Sequence, residues 1–215
     1  VVDGGLTALF RWHHEKERHL GEWNVPPFVI EKVQRQKGLS LIYGPSESGK
    51  SVLSYLLASR LAETGASVAY VAQDFEFQSR PEVTWIQPRT FLKMNLGLNP
   101  FQYLFLDSQD GEILAKAAGL VNSGQSLFLS AAQKSIEGAL LQLIPHFAND
   151  SRTDGAWLSL AESFVSAFGV RLVPGLESSL QPVFELLTDS QEVKSQLRQG
   201  SVLGLVEIMF RGGDK

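Results

Sequence analysis

The chain contains no cysteine. Disulfides and thiolate metal sites are thereby excluded, and a reducing compartment is compatible with the composition. There is no excess of positive charge either: 19 Lys and Arg stand against 23 Asp and Glu, for a net charge of −4. A general binder of polyanions is not expected, although a local basic patch would escape such a count. No apolar run approaches the length of a membrane span, and no signal-peptide pattern is legible. Internal repeats and low-complexity tracts are also lacking. What is present, 44% hydrophobic and 20% charged residues in a chain of 215, suits a soluble globular protein of one large domain, or one and a half, with a substantial core. The first residue is Val1 rather than Met, so an upstream segment is expected.

Gly44-Pro45-Ser46-Glu47-Ser48-Gly49-Lys50-Ser51 fits G-x-x-x-x-G-K-[ST], the phosphate-binding loop of P-loop nucleotide hydrolases. Its context fits as well. Leu39-Ser40-Leu41-Ile42-Tyr43 reads as a buried strand running in, and Val52 to Ala58 as a helix running out. In such a loop glycine lets backbone N–H groups converge on phosphate oxygens, and the helix N-terminus adds partial positive charge. Gly44, Ser46, Ser48, Gly49, Lys50, Ser51 and Val52 are the candidate nucleotide-binding residues. Lys50 would reach the β- and γ-phosphates, and the Ser51 hydroxyl would ligate Mg²⁺. ATP or ADP and Mg²⁺ are the expected cofactors. The loop predicts bound nucleotide; hydrolysis requires more.

Around the loop the pattern alternates strand and helix. Residues 1–27 are polar and rich in charge, with His13, His14 and His19 close together and Pro26-Pro27 at the end. No Asp or Cys partner sits at ligand spacing, so the stretch reads as a solvated connector. A helix over 28–36 is stopped by Gly38, and the helix after the loop runs to about residue 64, where Gly65 ends it. Ser67 to Ala72 is the next strand, which makes a β-loop-α-β unit and implies a parallel sheet. Trp85-Ile86 is a short strand, Asn95 to Pro100 a turn-rich stretch. Gln102 to Asp107 is an apolar strand ending in an acid, followed by a helix over 112–121 and a strand over 126–130. Helices are expected at 135–147 and 154–168, a strand pair at 171–174 and 180–187, and two last helices at 190–199 and 202–210.

Asp107 is the leading candidate for a second Mg²⁺ contact, direct or through water, since ligands of open α/β sheets lie at the carboxyl ends of the strands. The bland alternative is an acid that caps the turn after its strand. Asp74 and Glu76, just after the second strand, are candidates to polarise an attacking water, or else belong to a solvated loop. Arg80 and Arg89 are further possible phosphate contacts.

With these pieces in order, roughly residues 20 to 212 resemble the secretion ATPases of the PilT/GspE type, the motors of type IV pili and type II secretion. Leu160 to Phe164 through Val170-Arg171-Leu172-Val173-Pro174 is similar to that family's helix running into a "QRLLP" segment. Phe184 to Asp189, then Val193 to Gly200, is similar to its "EVLLNTP…IRDLIREGK" segment. The resemblance implies an α/β, RecA-like P-loop NTPase with a central mostly parallel sheet and a helical C-terminal subdomain. It divides the chain into a linker over 1–27, a core over 28–134 and a mostly helical subdomain with a strand pair over 135–215. It also implies a hexameric ring, an inner-membrane platform protein as partner, and a cytoplasmic place at the inner membrane. Nucleic acid is not an expected partner.

The chain departs from that family where its chemistry sits. Gln73-Asp74-Phe75-Glu76 stands for an "EDPIE" box, with the first acid lost. Leu106-Asp107-Ser108-Gln109-Asp110 stands for "GEMRD", so Asp107 takes the place of the catalytic glutamate and Gln109 that of an arginine. Ser130-Ala131-Ala132-Gln133-Lys134-Ser135 stands for "STLHTN", with Gln133 at the histidine. Glu47 replaces a small residue of the loop, and the helix between Thr90 and Pro100 is shortened. The resemblance also implies an N-terminal domain that supplies arginines to a shared active site, and of it only the linker at 1–27 is expected among these residues. Small misplacements of catalytic groups can cost on the order of 10²-fold, so these changes suit a site that binds nucleotide better than it turns it over.

Three functions follow as expectations. One is a ring-forming motor that couples ATP hydrolysis to pilus assembly, retraction or secretion. Another is a weakly catalytic or non-catalytic homologue that regulates or builds the same machine. The third is a RecA-like DNA-dependent ATPase, against which the acidic charge and the C-terminal half argue.

Overall fold

Five consecutive buried residues, Leu39 to Tyr43, form the first strand, β1 (Leu39–Tyr43). A strand with no exposed side belongs inside a parallel sheet covered on both faces, and that is where β1 lies. The computed structural model describes residues 20–23, 25, 27–74, 80–95, 100–147, 153–175 and 180–212. After a 3₁₀ turn at Leu20–Trp23 come α1 (Pro27–Arg35), β1, α2 (Lys50–Glu63) and β2 (Val68–Ala72). Then follow β3 (Val83–Ile86), α3 (Pro88–Lys93), β4 (Tyr103–Asp107), α4 (Gly111–Asn122), β5 (Ser126–Ala131), α5 (Ile136–Phe147) and α6 (Thr153–Ser163). The strand pair β6 (Phe164–Pro174) and β7 (Leu180–Thr188) precedes α7 (Gln191–Arg198) and α8 (Val202–Gly212).

The seven strands form one sheet in the order β3-β2-β4-β5-β1-β6-β7. All neighbours pair parallel except β6 and β7, which pair antiparallel. The strands of residues 135–215 therefore extend the same sheet, β6 lying directly against β1. Alternate residues of the strands feed two cores. Ile42, Tyr70, Phe105 and Phe128 pack under α2 with Leu53, Leu57 and Leu61. Leu41, Val71, Leu106 and Leu129 pack on the other face with residues of α4, α5 and α6, such as Leu114, Leu140 and Leu160. The result is a three-layer α/β/α arrangement in which β1 to β6, all parallel, share one carboxyl edge.

One expected helix is overturned. Residues 154–168 are not a single helix: α6 ends at Ser163 and Phe164 begins β6, so the strand pair starts seven residues before residue 171. Phe164 to Val170 are all buried, and a short apolar run of this kind has no periodicity to separate buried helix from buried strand. Tertiary context decides it. In the interior of the sheet the Ser166 hydroxyl donates to Ser40 Oγ at 2.9 Å, which satisfies a polar group that a strand between two others would otherwise bury unpaired.

α4 and α7 start where side chains cap them. Asp110 accepts from the N–H groups of Glu112 and Ile113, and Ser190 accepts from that of Val193. Lys116 on α4 donates to the carbonyls of Phe91, Leu92 and Met94 at 2.7–2.8 Å and so ties down the end of the short α3.

Candidate functional site

The loop from Gly44 to Gly49 joins the carboxyl end of β1 to the first turn of α2. Gly49 has φ +91, and a Cβ there would also meet the Trp23 ring at 2.7 Å, so only glycine fits. At Gly44 a Cβ would strike the carbonyl of Val170 and lie 2.5 Å from Ser48 Oγ. The Gly44 N–H is held by the carbonyl of Ala131 at the end of β5 (3.3 Å). The loop is thus fixed from three sides: by β5, by β6, and by Trp23, whose ring packs against Gly49 and lies 6.1 Å from the Phe184 ring.

Inside the loop lies Lys50. It is 8% exposed, and its ammonium donates to the Pro45 carbonyl at 2.7 Å. Burial pushes its pKa down, and the negative charge of Asp107 pushes it back up. Ser48 is 4% exposed, and its hydroxyl has no hydrogen-bond partner among the described residues. An orphaned hydroxyl, a buried cation and a glycine cradle at a helix N-terminus are the features a phosphate would satisfy. The residues present therefore fit a nucleotide phosphate.

Asp107 ends β4 opposite Ala72 of β2. Tyr70 OH donates to Asp107 Oδ2 at 3.2 Å and lies 3.4 Å from the Ser51 carbonyl. Asp107 therefore shares the α2 side of the sheet with Lys50 and Ser51. The donors here are one hydroxyl and one carboxylate. That partial oxygen set fits Mg²⁺, a hard cation that keeps several waters and takes further oxygens from phosphate.

The other sequence candidates are placed as follows. Ser46 is exposed at the tip of the loop, and Val52 is half-buried in the first turn of α2. Asp74 is exposed just beyond the carboxyl end of β2. Glu76 and the histidines at 13, 14 and 19 lie outside the described residues. Arg80 is not near the loop: it pairs with Glu63 at 3.0 Å, at the far end of α2 from Lys50. Arg89 is exposed in α3, next to the edge strand β3 rather than at β1.

Gln109 and Gln133 are joined through a third glutamine. Gln109 donates to the Ser130 carbonyl at 2.7 Å and accepts from Gln142 of α5, also at 2.7 Å. Gln142 in turn accepts from Gln133 at 3.1 Å. A chain of neutral amides links β4, β5 and α5 beside the loop.

Reading the sequence alone misses Tyr70, Gln142 and Trp23. The signal for Tyr70 was available: it is two residues before Ala72 on a strand, hence on the same face as a residue paired with Asp107. Gln142 and Trp23 carry no comparable signal, because their roles depend on how a helix and a 3₁₀ turn dock.

No family model and no curated protein matches the chain. Solved structures do match in fold. The pilus retraction motor PilT, with bound ADP, superposes with TM-score 0.79 at 16% identity over 93% of this chain and 61% of that one. The Legionella pneumophila ATPase DotB gives 0.73 at 18% identity, covering 89% of this chain and 57% of its own. The VirB11 ATPase of the Brucella suis type IV secretion system, in complex with sulphate, gives 0.56 at 15%, covering 82% and 54%. The chain spans somewhat more than half the length of these proteins. With its seven-stranded, mostly parallel sheet and the loop after its first strand, the chain has the RecA-like fold of PilT.

Proposed function

We propose that this chain is a nucleotide-binding ATPase domain of the type IV pilus and type II secretion kind, which drives or regulates pilus assembly, retraction or secretion. The observation that carries this is the buried Lys50 within a glycine-cradled loop, with the Asp107 carboxylate on the same side of the sheet. In this reading residues 44–52 bind ATP or ADP. Lys50 neutralises the outer phosphates, and loop N–H groups orient them. Ser51 and Asp107 would hold Mg²⁺, which would supply neutralisation of phosphate charge. Tyr70 holds the Asp107 carboxylate toward Ser51. Asp74 or Glu76 polarises the attacking water. Residues 28–134 act as the core and 135–215 as the C-terminal subdomain. Assembly into a hexameric ring at the cytoplasmic side of the inner membrane, on a platform protein, completes the reading.

A second reading, a subunit of the same machine that binds nucleotide and turns it over slowly or not at all, has its own support. The Gln109–Gln142–Gln133 chain offers hydrogen bonds and no titrating proton, where the resemblance leads one to expect an arginine and a histidine. Stabilising positive charge is worth about 10³–10⁵ in rate in other phosphoryl-transfer enzymes. Steady-state ATP turnover, with Lys50→Ala as control, separates the two. The second reading predicts turnover well below about 1 s⁻¹, the low end for ordinary enzymes, and a gain from Gln133→His combined with Asp107→Glu. Native turnover at or above that rate returns the weight to the motor.

A further inference from the structure

We propose that Glu47 is a specificity-determining residue that makes the loop prefer metal-complexed over metal-free nucleotide. This rests on the reading of residues 44–52 as a nucleotide site. Glu47 has φ +62 and is the one non-glycine residue with positive φ among the described residues. The Pro45 carbonyl accepts the Ser48 N–H at 3.3 Å, closing a turn in which Glu47 is the third residue. Positive φ at the third position of such a turn normally calls for Gly or Asn. For glutamate it carries strain, which persists only where the surroundings enforce it. Here they do. The Pro45 carbonyl also takes the Lys50 ammonium, and the Ala131 carbonyl holds Gly44.

The backbone of a charged residue is therefore held at the tip of a loop whose N–H groups suit an anion. Glu47 is exposed, and no ion pair among the described residues engages its carboxylate. Its charge is carried on the same loop as the N–H groups that would take a phosphate, so it acts on whatever the loop binds. At about 4 Å in water a pair of unit charges shifts an equilibrium roughly fivefold, and the repulsion grows with the ligand's negative charge. Divalent Mg²⁺ removes two units of that charge. Metal-free nucleotide is thus penalised more than the Mg²⁺ complex. The backbone strain, in contrast, acts on both alike. One residue supplies two separable effects, and two substitutions separate them: Glu47→Gln removes charge and keeps the side chain, while Glu47→Gly removes charge and strain.

Calorimetric affinities of the full chain for ADP and ATP, each with Mg²⁺ and with a chelator, test the idea. Glu47→Gln should tighten metal-free binding by roughly fivefold or more and Mg²⁺-complexed binding by less. The difference should shrink near 1 M salt, where the screening length is about 3 Å. Glu47→Gly should add any further gain equally to both. A wild type that binds only with Mg²⁺, beside a Glu47→Gln variant that binds in both conditions, gives the same support. Equal changes, no change, or a difference indifferent to salt would overturn the proposal. If wild type and both variants bind no nucleotide, the reading of the loop falls and the proposal falls with it. If wild type binds, Lys50→Ala does not, and Glu47→Gln matches wild type, the proposal alone falls.

Discussion

Lys50 carries opposite demands on one side chain. Burial disfavours its ammonium, and Asp107 and the Pro45 carbonyl favour it. The net direction is a pKa below the ordinary 10.5. Below the lowered value the ammonium is present in both folded and unfolded chains and penalises the fold in full. Between that value and 10.5 the unfolded chain binds more protons, so this contribution to stability rises with pH. Lys50→Met should remove that slope. In urea unfolding across pH, its stability relative to wild type should be highest on the acid side and decline as pH approaches the ordinary lysine value. Asp107 gives a second residue-scale prediction. Asp107→Asn keeps a hydrogen-bond acceptor for Tyr70 but loses the charge. Nucleotide titrations with and without chelator should show Mg²⁺-dependent binding weakened more than Mg²⁺-independent binding.

Among the elements, the sheet under α2 is braced by a row of aromatic rings. Tyr70, Phe105 and Phe128 occupy register positions on β2, β4 and β5. Phe105 and Phe128 stack at 4.2 Å with planes 7° apart, and Tyr70 lies 6.2 Å from Phe105 at 13°. Phe105 is fully buried with a ring on either side, so Phe105→Ala should cost about 3–5 kcal/mol in chemical denaturation. Because Tyr70 also holds Asp107, the same variant should loosen that acid.

The elements that could be read from the sequence are those with a local reason. The β1–loop–α2 unit was legible because its spacing has a mechanism, and β4 because an apolar run ended in an acid. The amino end of β6 was not, since Phe164 to Val170 become a strand only by insertion between β1 and β7. The glutamines at 109 and 133 were visible as departures. Their linkage through Gln142 was not, because it joins three elements 9 to 33 residues apart in the chain.

At the scale of the whole molecule, strand order brings the parts together. β5 lies beside β1 and β4 beside β5, so Ala131 and Asp107 approach the loop and Lys50 from one side, while β6 and Trp23 close it from the other. α2 spans the face between the loop and Arg80. The fold is that of PilT, and no described helix is long and apolar enough to cross a membrane. In the proposed function this arrangement binds nucleotide through residues 44–52. Calorimetric titration of the wild-type chain and of Lys50→Ala with Mg²⁺ and ADP or ATP tests it most directly. Saturable binding to wild type and its loss in Lys50→Ala are expected, with an unchanged circular dichroism spectrum. Equal nucleotide affinity in the two proteins would contradict it.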